Sequence, residues 1–236
     1  MTILTCIQEA TAVIGLNVPL SVFGATDREL VELQYVANNM AQVIARAYDW
    51  QALKKIGTVT GDGATQDFNL TTIASDYGRQ LQKATMWVTS RPYYPLMHVT
   101  DSDDWLGIIT SNLQTTTGMW TIYGGQIHIT PALANADTAK FFYITDSIVQ
   151  PASGSNKPAF TLDTDTFLLS ERVLRLGIIW QWKANKGLPY AEDMANYEIA
   201  IQETIARDKG SKIITVGRQR WSNSTGEFAW PGVLGS

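Results

Sequence analysis

Histidine is the side chain most readily recruited for proton transfer or metal binding near neutral pH, and this 236-residue chain has two, His98 and His128. Two leave little room for a His-based metal site or a Ser-His-Asp arrangement. His128 alternates with Ile127 and Ile129 in a strand-like run, so it reads as a solvent-facing strand residue. The densest acids are Asp101, Asp103 and Asp104. Paired carboxylates can bind calcium or do acid–base work when their surroundings drive their pKa values apart, but the stretch lacks the glycine and distal glutamate of a calcium loop. It reads as a helix N-cap with solvated acids favoured by the helix dipole, and Asp163 and Asp165 read the same way ahead of a later helix. Cys6 is the single cysteine, which excludes an internal disulfide and a CxxC pair. A buried apolar role in a first helix is expected of it.

Other motifs carry less. No glycine-rich loop ends in Lys-Ser or Lys-Thr, and Gly61, Gly63, Gly124 and Gly125 stand between strand-like runs where a phosphate loop would precede a helix. Asn69-Leu70-Thr71 and Asn223-Ser224-Thr225 match the glycosylation acceptor pattern, which is too short to carry weight without a secretory signal. Arg218 and Arg220 beside Trp221 could hold a phosphate and stack a base. In a chain of net charge -4, docking of this segment on a protein partner is the better expectation, because nucleic-acid affinity is driven by Lys and Arg.

The elements that would position these residues follow from periodicity. Ile3, Ile7, Ala10 and Ile14 recur at helical spacing before Gly15. A second helix opens at Thr26-Asp27-Arg28-Glu29, a capping-box spacing, with Leu30, Leu33, Ala37, Met40, Ile44 and Ala47 as its stripe. After Trp50, Lys55 to Thr60 and Thr65 to Leu70 read as a hairpin across Gly61-Asp62-Gly63. Gln82 to Thr89 predicts a strand, Arg91-Pro92-Tyr93-Tyr94-Pro95 an irregular stretch, and Asp101 to Thr110 a short helix. Met119 to Tyr123 and Gln126 to Thr130 flank Gly124-Gly125 as a second hairpin, with Thr138 to Thr145 as third strand of a meander. Pro151 to Pro158 reads as a linker. Asp165 to Lys186 and Pro189 to Lys209 then predict two antiparallel helices packed on the first two, followed by an arm without periodicity.

The expected fold is therefore α+β: a four-helix adaptor-type bundle with an inserted antiparallel β domain and an extended C-terminal arm. The N-terminal helices occupy 1–50, the β domain 51–150, the helical hairpin 159–210 and the arm 211–236. Charged residues make up 17% of the chain, below the roughly 25% usual in soluble domains. Eight tryptophans and nine tyrosines exceed what one small core can hide. Both features favour an assembled subunit. No apolar run reaches a membrane span and no signal peptide is visible, so a soluble, non-exported protein is expected.

The order of elements resembles that of the head-to-tail adaptor (connector) proteins of tailed bacteriophages. The stretches Gly118 to Pro131 and Phe167 to Trp182, continuing to Tyr197, are similar to proteins encoded among phage structural genes. The resemblance implies a non-enzymatic virion protein at the neck between capsid and tail, assembled in the host cytoplasm. It implies a homo-oligomer ring, commonly of twelve copies, bound to the portal protein and to tail or tail-completion proteins. DNA would pass non-specifically through the lumen during ejection, with no cofactor, metal or membrane involved. It assigns portal or neighbour binding to the arm, Lys212 to Val233, with Arg218, Arg220, Trp221, Phe228 and Trp230 as contact residues. Two other readings stand beside it. Trp87, Trp105, Trp120, Tyr93 and Tyr94 could make a carbohydrate- or receptor-binding module of a phage tail, and Asp101, Asp103 or Asp104 could serve an acid-dependent hydrolase.

Overall fold

The computed structural model describes residues 1–81, 85–90, 94–111 and 117–208. Its first half runs α1 (Ile3–Ile14), α2 (Arg28–Ala47), a 3-10 turn (Gln51–Leu53), β1 (Lys54–Thr60), β2 (Asp67–Asn69), α3 (Leu70–Ile73), β3 (Tyr77–Gln80), β4 (Met86–Val88), β5 (Met97–His98) and α4 (Ser102–Thr110). Then follow β6 (Met119–Tyr123), β7 (Gln126–Thr130), β8 (Thr138–Thr145), β9 (Val149–Gln150), β10 (Thr166–Phe167), α5 (Glu171–Asn185) and α6 (Ala191–Asp208). Contacts divide the described chain into two units, one formed by 1–55 with 144–208 and the other by Ile56–Tyr143.

In the first unit, helix ends are set by local chemistry. The Thr2 hydroxyl accepts the Thr5 N–H at 3.4 Å, and Gly15 at φ 87° closes α1, a left-handed conformation that glycine adopts without a Cβ penalty. The expected apolar face is buried at Ile3, Ile7 and Ala10, joined by Cys6 and Thr11. In α2 the stripe is buried at Leu33, Ala37, Met40 and Ile44, whereas Ala47 is exposed. The capping box does not form: the helix begins after Asp27, whose side chain makes no capping hydrogen bond.

The later helices differ more. Instead of starting at Asp165, α5 starts after Ser170, whose hydroxyl accepts the Val173 N–H at 3.5 Å. Asp165 is fully buried: its carboxylate takes the Lys157 ammonium at 2.7 Å and the N–H groups of Thr161 and Leu162 at 2.8 and 2.9 Å, and its carbonyl takes the Ile3 N–H at 2.7 Å. Asp163 accepts the Val22 and Phe23 N–H groups at 3.0 and 2.9 Å and the Ser21 hydroxyl at 2.6 Å. Neither acid is a solvated helix cap. They pin the 157–166 segment to α1 and to the loop before α2, while β9 and β10 pair antiparallel as a two-stranded sheet. Asn38 of α2 fastens the same segment, accepting the Phe160 N–H at 2.7 Å and donating to its carbonyl at 3.3 Å.

The strongest helix–helix contacts all involve α5, on which α1, α2 and α6 each pack. Gly177 makes the crowding possible. A Cβ there would lie 2.8 Å from Met40 Cε of α2 and 3.4 Å from Tyr197 Cε2 of α6, so bare backbone lets both neighbours approach.

The second unit contains two four-stranded sheets. In one, β8 pairs with β1, β3 and β4; in the other the order is β2-β7-β6-β5, antiparallel except for the parallel β5–β6 pair. The β6–β7 hairpin forms as expected, with Gly124 and Gly125 at φ 58° and 75°, the positive values that a two-residue turn needs. The other expected pairings do not form. β1 and β2 lie in different sheets, because the Asp62 carboxylate accepts the Ala64 and Thr65 N–H groups at 2.9 and 2.7 Å and turns the chain away. These bonds, with that of the Thr65 hydroxyl foremost, hold the Asp62 carboxyl down to about 2. β8 likewise crosses to the other sheet and does not extend a meander. The core draws on both sheets through Val59, Val88, Trp120, Ile127, Ile129 and Phe141. Gly57 admits Phe141, whose ring carbons would sit 2.6 Å from a Cβ there.

The α+β class therefore stands on a different architecture from the one expected. The described residues hold six helices and three sheets, one of them mixed, and not a four-helix adaptor-type bundle with an inserted antiparallel β domain. A four-helix bundle needs each helix to share its core with two neighbours; here a single helix serves as hub. The expected C-terminal arm, 211–236, lies outside the described residues.

Candidate functional site

On the helical unit several large apolar side chains stand exposed. Leu20, in the loop after α1, is 94% exposed, and Tyr35 of α2 is 73% exposed. On α2 the outward positions Tyr35, Asn39, Gln42 and Val43 carry no charge. On α6, Tyr197 and Ala200 are buried, while Ile199 is 57% exposed and Met194 is also turned outward. Of the other apolar residues of α6, Ile201 and Ile205 are half-buried. Large apolar side chains held in solvent on successive helices are what a protein contact surface provides.

His128 is the second candidate, and its placement overturns the solvent-facing expectation, since it is 6% exposed. Its Nδ1 lies 2.6 Å from Asp67 Oδ1 on the paired strand, and its Nε2 lies 3.3 Å from the Tyr123 carbonyl. The Tyr123 ring stacks on the imidazole at 3.8 Å between centroids and 11° between planes, and Trp105 of α4 approaches at 6.4 Å. The alternation of β7 was read correctly, but the second sheet face is covered too. The arrangement orients and shields the imidazole. Both ring nitrogens face oxygens of the β unit, Nδ1 the exposed Asp67 carboxylate and Nε2 the Tyr123 carbonyl.

The remaining candidates are structural. Asp101 caps α4 by accepting the Asp103 N–H at 2.8 Å, and Asp103 and Asp104 stand exposed in the first turn, as expected. His98 Nε2 lies 3.0 Å from Gln80 Nε2, its ring 4.7 Å from that of Trp120, and burial holds it below the usual histidine range. Burial, with the neighbouring Glu171 carboxylate, pushes the Cys6 thiol up to about 12, which keeps it un-ionised and unreactive. Asn69 accepts the Thr71 N–H at 3.0 Å as the cap of α3. Of the aromatic set around the β strands, Trp105 and Trp120 are buried, Trp87 is half-buried and Tyr94 is exposed; Tyr93 lies outside the described residues. Arg218, Arg220, Trp221, Phe228 and Trp230 also lie outside them.

Two open clefts on the helical unit measure about 330 and 410 Å³. Neither is lined by a histidine or a cysteine. Among the described residues no group of three or more His, Cys, Asp or Glu could hold a metal ion, and no helix is long and apolar enough to cross a membrane. The chain matches no model of a known protein family, and no curated protein matches it.

Proposed function

We propose that this chain is a structural virion subunit that closes into a ring of roughly twelve copies at the phage neck, a heterologous assembly in which one face of each copy meets a different face of the next. The ring joins the portal protein to tail or tail-completion proteins, and DNA passes through its lumen. The observation that carries the reading is the set of exposed apolar side chains, Leu20, Tyr35, Val43 and Ile199, on a helical unit whose own core is already filled around α5. Left in water, such faces favour association at about 25 cal/mol per Å² of apolar surface covered. The acidic balance of the chain suits a lumen that DNA slides past without adhering, because repulsion reaches only about 8 Å at physiological salt.

A non-enzymatic role agrees with the engagement of both His128 nitrogens inside the β unit and of Asp101 in a helix cap. The alternative, a carbohydrate- or receptor-binding module, loses its natural stacking platform because Trp105 and Trp120 face the interior. Native mass spectrometry of the full chain, alone and mixed with its candidate portal, with particle images alongside, is the test. Rings, or a portal-dependent stack of many copies, support the proposal; a monomer indifferent to every portal refutes it.

A further inference from the structure

The outer face of α6 has a chemistry of its own. On the side opposite Tyr197 and Ala200, the exposed residues Ala195, Ile199, Gln202 and Ala206 recur at helical spacing and form an uncharged strip. Glu198 borders it on one side, and Glu192 and Glu203 border it on the other. Two alanines keep the strip shallow enough for a flat ring to lie on it. Over its length α6 carries five acids, Glu192, Asp193, Glu198, Glu203 and Asp208, against Arg207; Asp193 and Glu203 pair with Lys183 and Arg172 of α5 at 2.6 and 3.6 Å, while Glu192 and Glu198 stand exposed.

The complement is in the same sequence. The 28 residues after Asp208 contain Lys209, Lys212, Arg218 and Arg220 against Glu227, a net charge of +3, with Trp221, Phe228 and Trp230 among them. The chain as a whole is -4, so the first 208 residues carry -7. We infer that the outer face of α6 receives residues 209–236 of a neighbouring copy, with aromatic rings on the Ala195–Ile199–Ala206 strip and basic side chains on Glu192 and Glu198.

A neighbour is favoured over the segment's own α6 by electrostatics. Identical bodies of -7 repel, and a segment folded back on its own helix leaves every copy at -4 and still repelling. Exchanged between copies, the same charges attract across the contact, which steers assembly and fixes its register. Reach is ample: 28 residues extend to roughly 90 Å at about 3.3 Å each, and α6 is about 27 Å long at 1.5 Å per residue.

This inference rests on the ring reading, and its test separates the two. Full-length chain with photo-reactive benzoylphenylalanine in place of Gln202 is co-refolded as an equal mixture of isotope-labelled and unlabelled protein, illuminated and digested. Native mass spectrometry of the same sample reports the ring. Links from position 202 to peptides of 209–236, about half of them joining labelled to unlabelled chains, are expected. Glu192→Lys with Glu198→Lys should lower that yield about tenfold, and adding Arg218→Glu with Arg220→Glu should restore it to within about twofold. Rings without such links, links only within one isotope class, or links from 209–236 to added portal alone would each overturn the inference and leave the ring standing. Absence of any ring would overturn both.

Discussion

Replacing Gly61 by alanine tests how the second unit is held together. A Cβ at this position would lie 2.5 Å from the Ala134 carbonyl oxygen and from Leu133 Cβ, and 2.9 Å from the Leu133 carbonyl oxygen. Ordinary contact begins roughly 0.9 Å further out, and the obstructing atoms are backbone or fixed to it. The same segments are tied by two hydrogen bonds, Gly61 N–H to the Asp137 carbonyl at 2.8 Å and Ala136 N–H to the Gly61 carbonyl at 3.0 Å. The obstructing backbone can give way only in part, which stretches both bonds while some overlap persists, so the two penalties add. Two net backbone bonds at about 1 kcal/mol each and overpacking strain of about 1–3 kcal/mol oppose a gain of about 0.4–1 kcal/mol from the stiffer unfolded chain. The balance is a loss of about 2–4 kcal/mol.

The control is Gly177→Ala, where the nearest atom is Met40 Cε, the free end of a flexible side chain. Met40 can swing away, and alanine gains about 1 kcal/mol of helix propensity, so the net change stays within about 1 kcal/mol. Urea unfolding of both variants, followed by amide exchange at Gly61 and Ala136, makes the comparison. With a slope of about 2 kcal/mol per molar, Gly61→Ala should lower the midpoint by about 1–2 M and Gly177→Ala by less than about 0.5 M. Equal shifts in the two variants, or an unchanged Gly61→Ala, would refute the reasoning.

Two further outcomes are expected. The buried Asp165 carboxyl is pushed up by desolvation, but the hydrogen bonds from Lys157, Thr161 and Leu162 outweigh this and hold it below the usual aspartate range. A depressed carboxyl contributes stability that is present above its unfolded pKa and lost as pH falls through its folded one. Thermal melts should therefore show the wild type losing stability below about pH 4, with Asp165→Asn flatter there and about 3 kcal/mol weaker at pH 7 because Lys157 loses its buried partner; parallel pH curves would contradict this. Asn38→Ala removes both side-chain bonds to Phe160 and should cost about 2 kcal/mol, read as roughly 30-fold faster amide exchange at Phe160; unchanged protection would show that the segment is held elsewhere.

What could be read in the sequence was local. The four long helices and the β6–β7 hairpin were legible because each is specified by a few adjacent residues: the Ile3-Ile7-Ala10 spacing, Gly15, and Gly124-Gly125 between alternating strands. Sheet membership was not legible. Lys55–Thr60 and Thr65–Leu70 look like one hairpin because Gly61-Asp62-Gly63 is turn chemistry, but turn chemistry does not say which way the chain leaves the turn. The Asp62 side chain decides that here, and the bare α-carbon of Gly61 fits only against the Leu133–Ala134 backbone, more than seventy residues on. Asp165 fails for the same reason. An aspartate ahead of a helix reads as a cap, and only Lys157 and the Ile3 amide converging on it reveal a buried anchor.

The candidate sites divide along the same line. Alternation placed His128 opposite the Ile127–Ile129 face correctly, but solvent exposure followed only if nothing covered the other face, and α4 with Tyr123 covers it. The surplus of tryptophan and low charge pointed to assembly without saying where, and burial of Trp105 and Trp120 removes the aromatic cluster as its location. The outward strip on α6 was obscured because Met194, Ile199, Ile201 and Ile205 spread around the helix, so periodicity alone does not single out the exposed face. Once Tyr197 and Ala200 are fixed against α5, the positions between the glutamates become the face left over. That face acquires its significance from a feature that was in the sequence throughout, a basic, aromatic C-terminal segment on an otherwise acidic chain.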